Sequence, residues 1–485
     1  MVENTERGKT SLAVKVGFWY VLSSFVAKSL AFLTTPIFSR LMSESDYGEF
    51  SNFASWVTTL FIVTSLEMFN TLPRAYYDYK DEYDAYNSTI AIASCIAALL
   101  CYLFFLVFGN WLLDIVAIPP EYVHMLFFLL MLQAGKQIYL NRERTLYRYK
   151  SVIIITLLNI VIPTLIAVVL VSTLPQRYHL AGRIYGTYVP MALLDLGCMI
   201  ALLVKGRSFR LKYVRYALVL SLPLLVHYLA AYLLTSTNVI VTKSVLGAEA
   251  AAVMGIVTSV IHILTVLTEA LTGAVTTWLM DNLEQEKYQK IRRDTLVYVG
   301  GLALLTVGVI LFAPEVVYIL GGTKYKSATV LIPVLVLSVF IQSASSLFTV
   351  ILTYEKKIAK TVVFTAVAAA VSILSKVYLL PQYGTEILPV INAAVFAGLF
   401  IVNYILVAGT RHRSAVNVKG VAGIIVAVGA LAAIANWLYA HTLLRYGIIL
   451  VMIVITAVIG IYYRKALLSM LKARKTRKKS GQRRP

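Results

Sequence analysis

The residues with chemistry to do are the ionisable side chains that fall inside long apolar runs. Helical spacing places His262, Thr265, Glu269, Thr272 and Thr276 on one polar face of a single helix. A carboxylate that alternates between wet and dry surroundings takes up and releases a proton, because desolvation disfavours its charged form. Glu269 and His262 are therefore candidate ion-coupling groups. His227, in the preceding apolar run, comes within about one turn of the same depth at ~1.5 Å per residue and joins them. The competing reading of that trio is a static polar contact between two helices. Lys28 lies well inside the first apolar run, with Ser24 and Thr35 on its face. It is either a cation that holds an anionic substrate or a lysine paired for structure. Glu67, Asn70 and Arg74 share a helical face near the end of the second run. There Glu67 either neutralises Arg74 or joins it on a substrate. Asp195 is a further ion-coupling candidate. Lys376, shortly before Pro381, is expected to snorkel to the nearer surface. Gln342, Ser346, Thr349 and Thr353 form a mild polar face of the kind that glues helices together.

These groups are unusual because of what surrounds them. Hydrophobic residues make up 59% of the chain and charged residues 14%. A soluble domain is typically about half apolar and a quarter charged. Runs such as Ile90–Phe108, Ser151–Val171, Thr295–Ala313 and Tyr446–Tyr463 need a bilayer as their solvent. Lipid admits only helices or a closed barrel, and the runs lack strict alternation, so the fold is all-α and polytopic. Helices are expected near 12–42, 48–72, 86–109, 119–140, 149–172, 181–204, 213–241, 247–280, 294–313, 328–354, 358–380, 386–408, 418–440 and 443–463, about fourteen in all.

The formal net charge of +21 would suggest nucleic acid in a soluble protein. Here the charge sits in short loops, so no nucleic-acid partner is expected. With the N-terminus inside, the inner loops and termini carry 35 of the 44 Lys and Arg residues, the outer segments carry 7, and Lys28 and Lys376 lie within helices. That bias places both termini in the cytoplasm of a cell-membrane protein. The basic stretch 464–485 is a membrane-surface anchor on anionic lipid. Cys95, Cys101 and Cys198 lie in apolar runs without metal-ligand spacing, so neither metal nor cofactor is expected. No GxxxxGK[ST] loop occurs, which argues against ATP hydrolysis in this chain. The loops are too short for a catalytic domain. Membrane glycosyltransferase or polymerase is accordingly a distant alternative to transport.

Several stretches resemble the Wzx-type polysaccharide flippases of the multidrug/oligosaccharidyl-lipid/polysaccharide (MOP) superfamily. They are Gly17-Phe18-Trp19-Tyr20, Thr35-Pro36 through Arg40-Leu41, and Ser43 through Phe50 with its acidic Tyr47-Gly48. Leu72-Pro73-Arg74 through Lys80, Ala181 through Gly186, Leu222-Pro223 through His227, Gly321 through Ala328, and Thr353 through Lys357 continue the match along almost the whole chain. The chain departs from the pattern at Asn238, where the family usually has an acid, at Thr277, where it often has a proline, and at Lys376, which stands for a common asparagine. The resemblance implies two six-helix lobes, 1–204 and 216–408, a basic linker 205–215, and two further helices in 409–463. It also implies a substrate, polyprenyl-diphosphate-linked oligosaccharide, moved from inner to outer leaflet by alternating access. Lys28, Arg74 and Glu67 would then face the diphosphate. Glycan-assembly enzymes are the implied protein partners. A drug or metabolite antiporter of the same fold is the alternative, and the cations Lys28 and Arg74 argue against organic-cation cargo.

Overall fold

The structure, a computed structural model, describes residues 32–454 and 456–458. Residues 32–41 are the described part of helix α1. There follow α2 (Glu44–Ser65), a 3-10 turn (Met68–Thr71), α3 (Leu72–Asp78), α4 (Tyr83–Val116), α5 (Val123–Thr145), α6 (Tyr149–Thr173) and α7 (His179–Gly206). The second half comprises α8 (Leu211–Leu246), α9 (Ala248–Glu284), α10 (Tyr288–Leu311), α11 (Ala313–Gly321), α12 (Ala328–Tyr354), α13 (Ile358–Tyr383), α14 (Ile387–Ala408) and α15 (Val418–Ala440). The apolar helix α16 spans Thr442–Val458. No strand occurs among the described residues.

Ten stretches of the described residues are long and apolar enough to cross a bilayer, and one of these, Ile358–Ala408, contains two helices, α13 and α14. With α2, α16 and the described part of α1 these make fourteen helices among the described residues, besides the short α3 and α11. The expected all-α polytopic fold of about fourteen spans is what the chain forms. Prolines stand inside several of these helices, at Pro163, Pro190, Pro223, Pro333 and Pro381. Neighbouring helices tolerate such breaks at membrane depth by re-satisfying freed backbone groups.

Short connections fold the chain back on itself at two ends. One end, here the Tyr47 end, carries residues 42–48, 117–122 and 247; the opposite, Tyr79 end carries 66–82, 146–148 and 207–210. At the Tyr47 end Asn52 donates from Nδ2 to the carbonyls of Val116 and Ala117, at 3.2 and 2.9 Å, and so caps the end of α4. Gly247 turns α8 into α9 with φ +91° and ψ −178°, a conformation open to glycine alone.

The second expected helix, 48–72, does not run through. Leu66 and Glu67 are both left-handed, with φ 49° and 53°, and α2 stops at Ser65. Each such residue costs roughly 1–2 kcal/mol without a glycine. The packing that holds them is the fully buried run Met68, Leu72, Ala75 and Tyr86 beside the break.

Helices α4, α5 and α7 pack on one another and on α2, with α6 on α5 and α7, and α12 packs on α9, α13 and α14, with α13 on α14. Two devices join these groups. The first is a seam at the Tyr47 end, where α2 meets α9. A Cβ on Gly48 would fall 1.8 Å from the Ala248 carbonyl oxygen, and one on Gly255 2.5 Å from Ser51 Oγ. Around the seam Lys243 is ion-paired with Glu49, Lys324 Nζ donates to the Met42 carbonyl at 3.0 Å, and Ser39 donates to the Leu320 carbonyl. The second is α8, whose halves have different neighbours. Tyr213 and Ala217 are buried with Tyr86 beside α4, whereas Ala230 and Leu234 are buried in the core built mostly by α9 and α12. Pro223 lies between the halves.

The seam gives a direct test. Gly48→Ala should destabilise the detergent-purified protein by about 1–3 kcal/mol, the usual cost of overpacking, and expose Ser51→Cys to a maleimide from the Tyr47 side. Gly197→Ala, whose Cβ would meet nothing within 4 Å, is the control and should leave thermal stability and labelling unchanged.

Candidate functional site

Beyond the seam, α2, α8 and α9 each carry an ionisable group at a similar depth. At 1.5 Å per helical residue, Glu67 lies roughly 28 Å from Gly48, and His227 and Glu269 lie roughly 30 and 33 Å from Gly247. Three groups that are far apart in sequence thus reach one level of the molecule. The 3-10 turn that follows Glu67 packs directly on α8, which ties the break in α2 to that level.

On α9 the polar stripe divides. His262 and Glu269 are exposed, whereas Thr265, Thr272 and Thr276 are partly covered. Thr272 Oγ1 shares a 2.8 Å hydrogen bond with Tyr298 OH of α10, so that side of the stripe holds two helices together. His227 is half-buried and its Nδ1 is buried without a hydrogen-bond partner. No hydrogen bond or ion pair joins His227 to Glu269 among the described residues. The shared depth is therefore present, but not a direct contact.

Glu67 is 5% exposed, and its Oε2 accepts from Asn70 Nδ2 at 2.6 Å. The proposed pairing of Glu67 with Arg74 does not form. The left-handed break at Leu66 and Glu67 destroys the shared helical face, and Arg74 instead bonds Asp78 through Nε at 2.9 Å. Arg74 stays largely exposed at the Tyr79 end. Tyr216 OH of α8 also donates to Asp78, at 2.6 Å. These donors, Tyr216 first and then Arg74, hold the Asp78 carboxyl below its ordinary range. The α3–α8 tie is thus present at neutral pH and is lost only as pH falls through that depressed value.

The same end carries a layer of tyrosines. Tyr79 and Tyr86 stack at 5.9 Å, and Tyr213 and Tyr216 meet both rings edge-on. Glu82 accepts from Arg210, Lys212 and Tyr213, which fastens the basic linker to the start of α4. The Glu82 carboxylate also raises the pKa of the Arg210 guanidinium.

Asp195 of α7 is fully buried. It pairs with Lys136 of α5 at 3.2 Å and accepts from Asn159 Nδ2 of α6 at 3.0 Å, while Lys136 also donates to Asn159 at 3.0 Å. Its second oxygen, Oδ2, is buried without a partner. Lys136 stands within α5, as the expected helix 119–140 has it, and α5 runs on to Thr145. Close approach of α7 makes the pair possible, because a Cβ on Gly135 would lie 2.9 Å from Met199 Cβ.

Two further cations are buried in ways the sequence does not show. Arg183, in the expected helix 181–204, stands inside α7 with its guanidinium over the rings of Phe38 and Phe50, at 3.1 and 4.4 Å. Its position at the start of a helix hid this burial. Lys376 does not snorkel. It is fully buried and donates to α8, to Thr237 Oγ1 at 2.9 Å and to the Leu234 carbonyl at 3.4 Å. Pro381 looked like the helix end, but α13 runs on to Tyr383. Lys28 lies outside the described residues, as does the basic stretch 464–485.

The buried Lys136–Asp195 pair predicts a definite pattern. Asp195→Leu leaves an uncompensated ammonium and should cost about 3–5 kcal/mol in thermal unfolding. Lys136→Met combined with Asp195→Leu should recover most of that loss. A double variant no more stable than the single one would refute the pairing.

With this geometry in place, comparison with known proteins adds three findings. A family profile described as "Polysaccharide biosynthesis protein" matches residues 13–280. No curated protein matches the chain. Among solved structures, the chain is similar to a lipid II flippase, MurJ, in an inward closed conformation, with TM-score 0.64, 12% identity, and coverage of 92% of this chain and 99% of that one. It is similar also to an inward-facing multidrug resistance MATE family transporter of the MOP superfamily, with TM-score 0.57, 16% identity, and coverage of 79% and 94%. An outward-facing form of such a transporter matches with TM-score 0.53 and 16% identity over 81% of this chain and 94% of that one. At these identities the likeness is one of fold.

Proposed function

Since the chain belongs to the polysaccharide biosynthesis protein family and has the fold of MOP-superfamily transporters, we propose that it flips a polyprenyl-diphosphate-linked oligosaccharide across the membrane by alternating access. The observation that carries this reading is the asymmetry of α2, α8 and α9. They are locked together by glycine contacts and an ion pair at the Tyr47 end and bear Glu67, His227 and the exposed Glu269 some 30 Å away, at ~1.5 Å per residue. In this reading the three helices line a path shut on one side and polar on the other, as a substrate with a charged head group and an apolar tail requires.

In this proposal the lobes are 1–204 and 216–408, with 205–215 as the basic linker, 409–463 as two accessory helices and 464–485 as a cytoplasmic anchor. The Tyr47 end is the outer end and the Tyr79 end the inner one, as the Lys and Arg bias supports. Arg74, exposed at the inner end, meets the diphosphate first. Lys28, outside the described residues, is the second cation for the diphosphate in this reading, and Glu67, at the break in α2, joins them. Glu269 responds to the driving ion, with His262 and His227 on the same cleft. Asp195 contributes through its unpaired Oδ2. One elementary charge crossing 100 mV supplies about 2.3 kcal/mol, a source of energy that needs no nucleotide.

The test is flipping of a fluorescent polyprenyl-diphosphate oligosaccharide in proteoliposomes, with and without an imposed proton gradient. Wild type should move the probe, and the gradient should accelerate it. Glu269→Gln should still bind the probe but turn over at least about tenfold more slowly, as expected for loss of a proton-carrying group. Lys28→Ala should abolish flipping at unchanged protein level, while Lys28→Arg retains part of it. Transport of a cationic dye with no movement of the lipid-linked sugar would overturn the choice of cargo in favour of the antiporter.

A further inference from the structure

The short helix α11 lies across the Tyr47 end, and its two ends are bound to different parts of the molecule. Its sequence makes it amphipathic. Ala313, Val317 and Leu320 are buried on one face, in the core built mostly by α9 and α12, while Tyr318 and Ile319 on the other face are exposed. The last carbonyls of any helix lack intrahelical partners. In α11 the Gly322 N–H bonds the Tyr318 carbonyl, and the next two carbonyls are taken by α1. Arg40 Nη2 donates to Ile319 at 3.2 Å, and Ser39 Oγ donates to Leu320. The capping is mutual, because Lys324 Nζ, three residues past α11, donates at 3.0 Å to the Met42 carbonyl at the end of α1. Two helix C-termini thus satisfy one another's open backbone groups. Tyr325, fully buried, carries this joint on to Tyr47, with ring centroids 5.9 Å apart.

The first turn of α11 is bound elsewhere. Glu315 is the one charged residue of this helix. It accepts from Arg445 and, at 2.8 Å, from Tyr446 OH, both in the first turn of α16. Arg445 is 3% exposed and lies over the rings of Tyr446 and Tyr439, at 4.9 and 5.8 Å. Tyr439 OH, at the end of α15, donates at 2.6 Å to the Ile310 carbonyl at the end of α10. The turn between α15 and α16 is therefore fixed to α10 and grips α11 through a single carboxylate. At 1.5 Å per residue, Glu315 lies roughly 7 Å along one rigid helix from the carbonyls that α1 caps, so a shift at the first turn is felt at the last.

Burial of an apolar face holds α11 down but tolerates small sliding, since hydrophobic contact is non-directional. Its position along the Tyr47 end is fixed by directional bonds, Glu315 at one extremity and the caps from α1 at the other. We propose that α11 is the latch of the Tyr47 end and that α15 and α16 are the post that holds it. The latch packs on α9, α10 and α12 and moves with them, so parting α1 from α9 at this end requires the mutual caps to break. While Arg445 holds Glu315, α11 is aligned with α1 and the caps form. Once Glu315 is released, α11 slides and the joint with α1 loosens. The two helices outside both lobes thereby set how readily the Tyr47 end opens. The inference rests on the alternating-access reading but not on the identity of the cargo.

The latch can be read without cargo, in nanodiscs, in protein whose Cys95, Cys101 and Cys198 are replaced. Spin labels at Ile37 and Tyr318, 40% and 61% exposed, span the joint between α1 and α11. Labels at Tyr318 and Leu443, the latter 90% exposed, span the contact between α11 and α16. Glu315→Gln should enlarge a longer-distance population of the first pair by on the order of tenfold, the usual size of coupling between two sites. Tyr446→Phe, which keeps the ion pair, should shift that pair less and in the same direction, and it takes over the test if Glu315→Gln does not fold. Lys324→Met should lengthen the first pair and leave the second as in wild type. A Glu315→Gln protein, or in its place Tyr446→Phe, that alters only the Tyr318–Leu443 distances would overturn the proposal. A joint that answers to Glu315 in a protein that fails to flip the lipid-linked sugar would keep the latch and discard the cargo.

Discussion

The close approach of α2 and α9 at Gly48 is the constraint on which the rest of the structure depends. The Ala248 backbone occupies the space where a side chain on Gly48 would stand. Contact at that distance fixes both helices at one end, and the Glu49–Lys243 pair draws α8 into the same joint. The polar stripe of α9, the break in α2 and His227 lie further along these helices, some 30 Å from the joint for Glu67, His227 and Glu269 at ~1.5 Å per residue. A bilayer admits exposed polar groups at depth only where protein or water covers them.

The two groups of helices handle buried charge differently. Among α5, α6 and α7, Lys136 is answered by Asp195 and Asn159. Between α8 and α13, Lys376 meets only a carbonyl and a hydroxyl. A neutralised pair is rigid and costly to break. The molecule thus has a charge-paired polar core among α5, α6 and α7 and an uncharged set of lysine acceptors on α8, beyond Pro223.

The fold was legible because span length and hydropathy leave lipid-crossing helices as the only repeated solution. What stayed hidden was local. Nothing in Leu66-Glu67 marks a break, since neither glycine nor proline is present, and only the packing of Met68, Leu72 and Tyr86 imposes it. That break is why Glu67 bonds Asn70 and Arg74 bonds Asp78 instead of each other. Lys136 falls within the expected helix 119–140, but nothing in that helix names its partner, the buried Asp195 of α7. Lys376 looked like a snorkelling residue because Pro381 resembled a terminus. Partners across helices are not written in the periodicity of either helix. The depth of Glu269 and His227 was readable from residue counts.

In the proposed alternating-access cycle the seam opens once per turnover. Glu49 and Lys243, each replaced by cysteine in a protein without its native cysteines, permit that to be tested by oxidation in proteoliposomes loaded with a fluorescent polyprenyl-diphosphate oligosaccharide. Cross-linking α2 to α8 should stop flipping, and reduction of the disulfide should restore it. Undiminished flipping by fully cross-linked protein would contradict transport through the cleft between α2, α8 and α9.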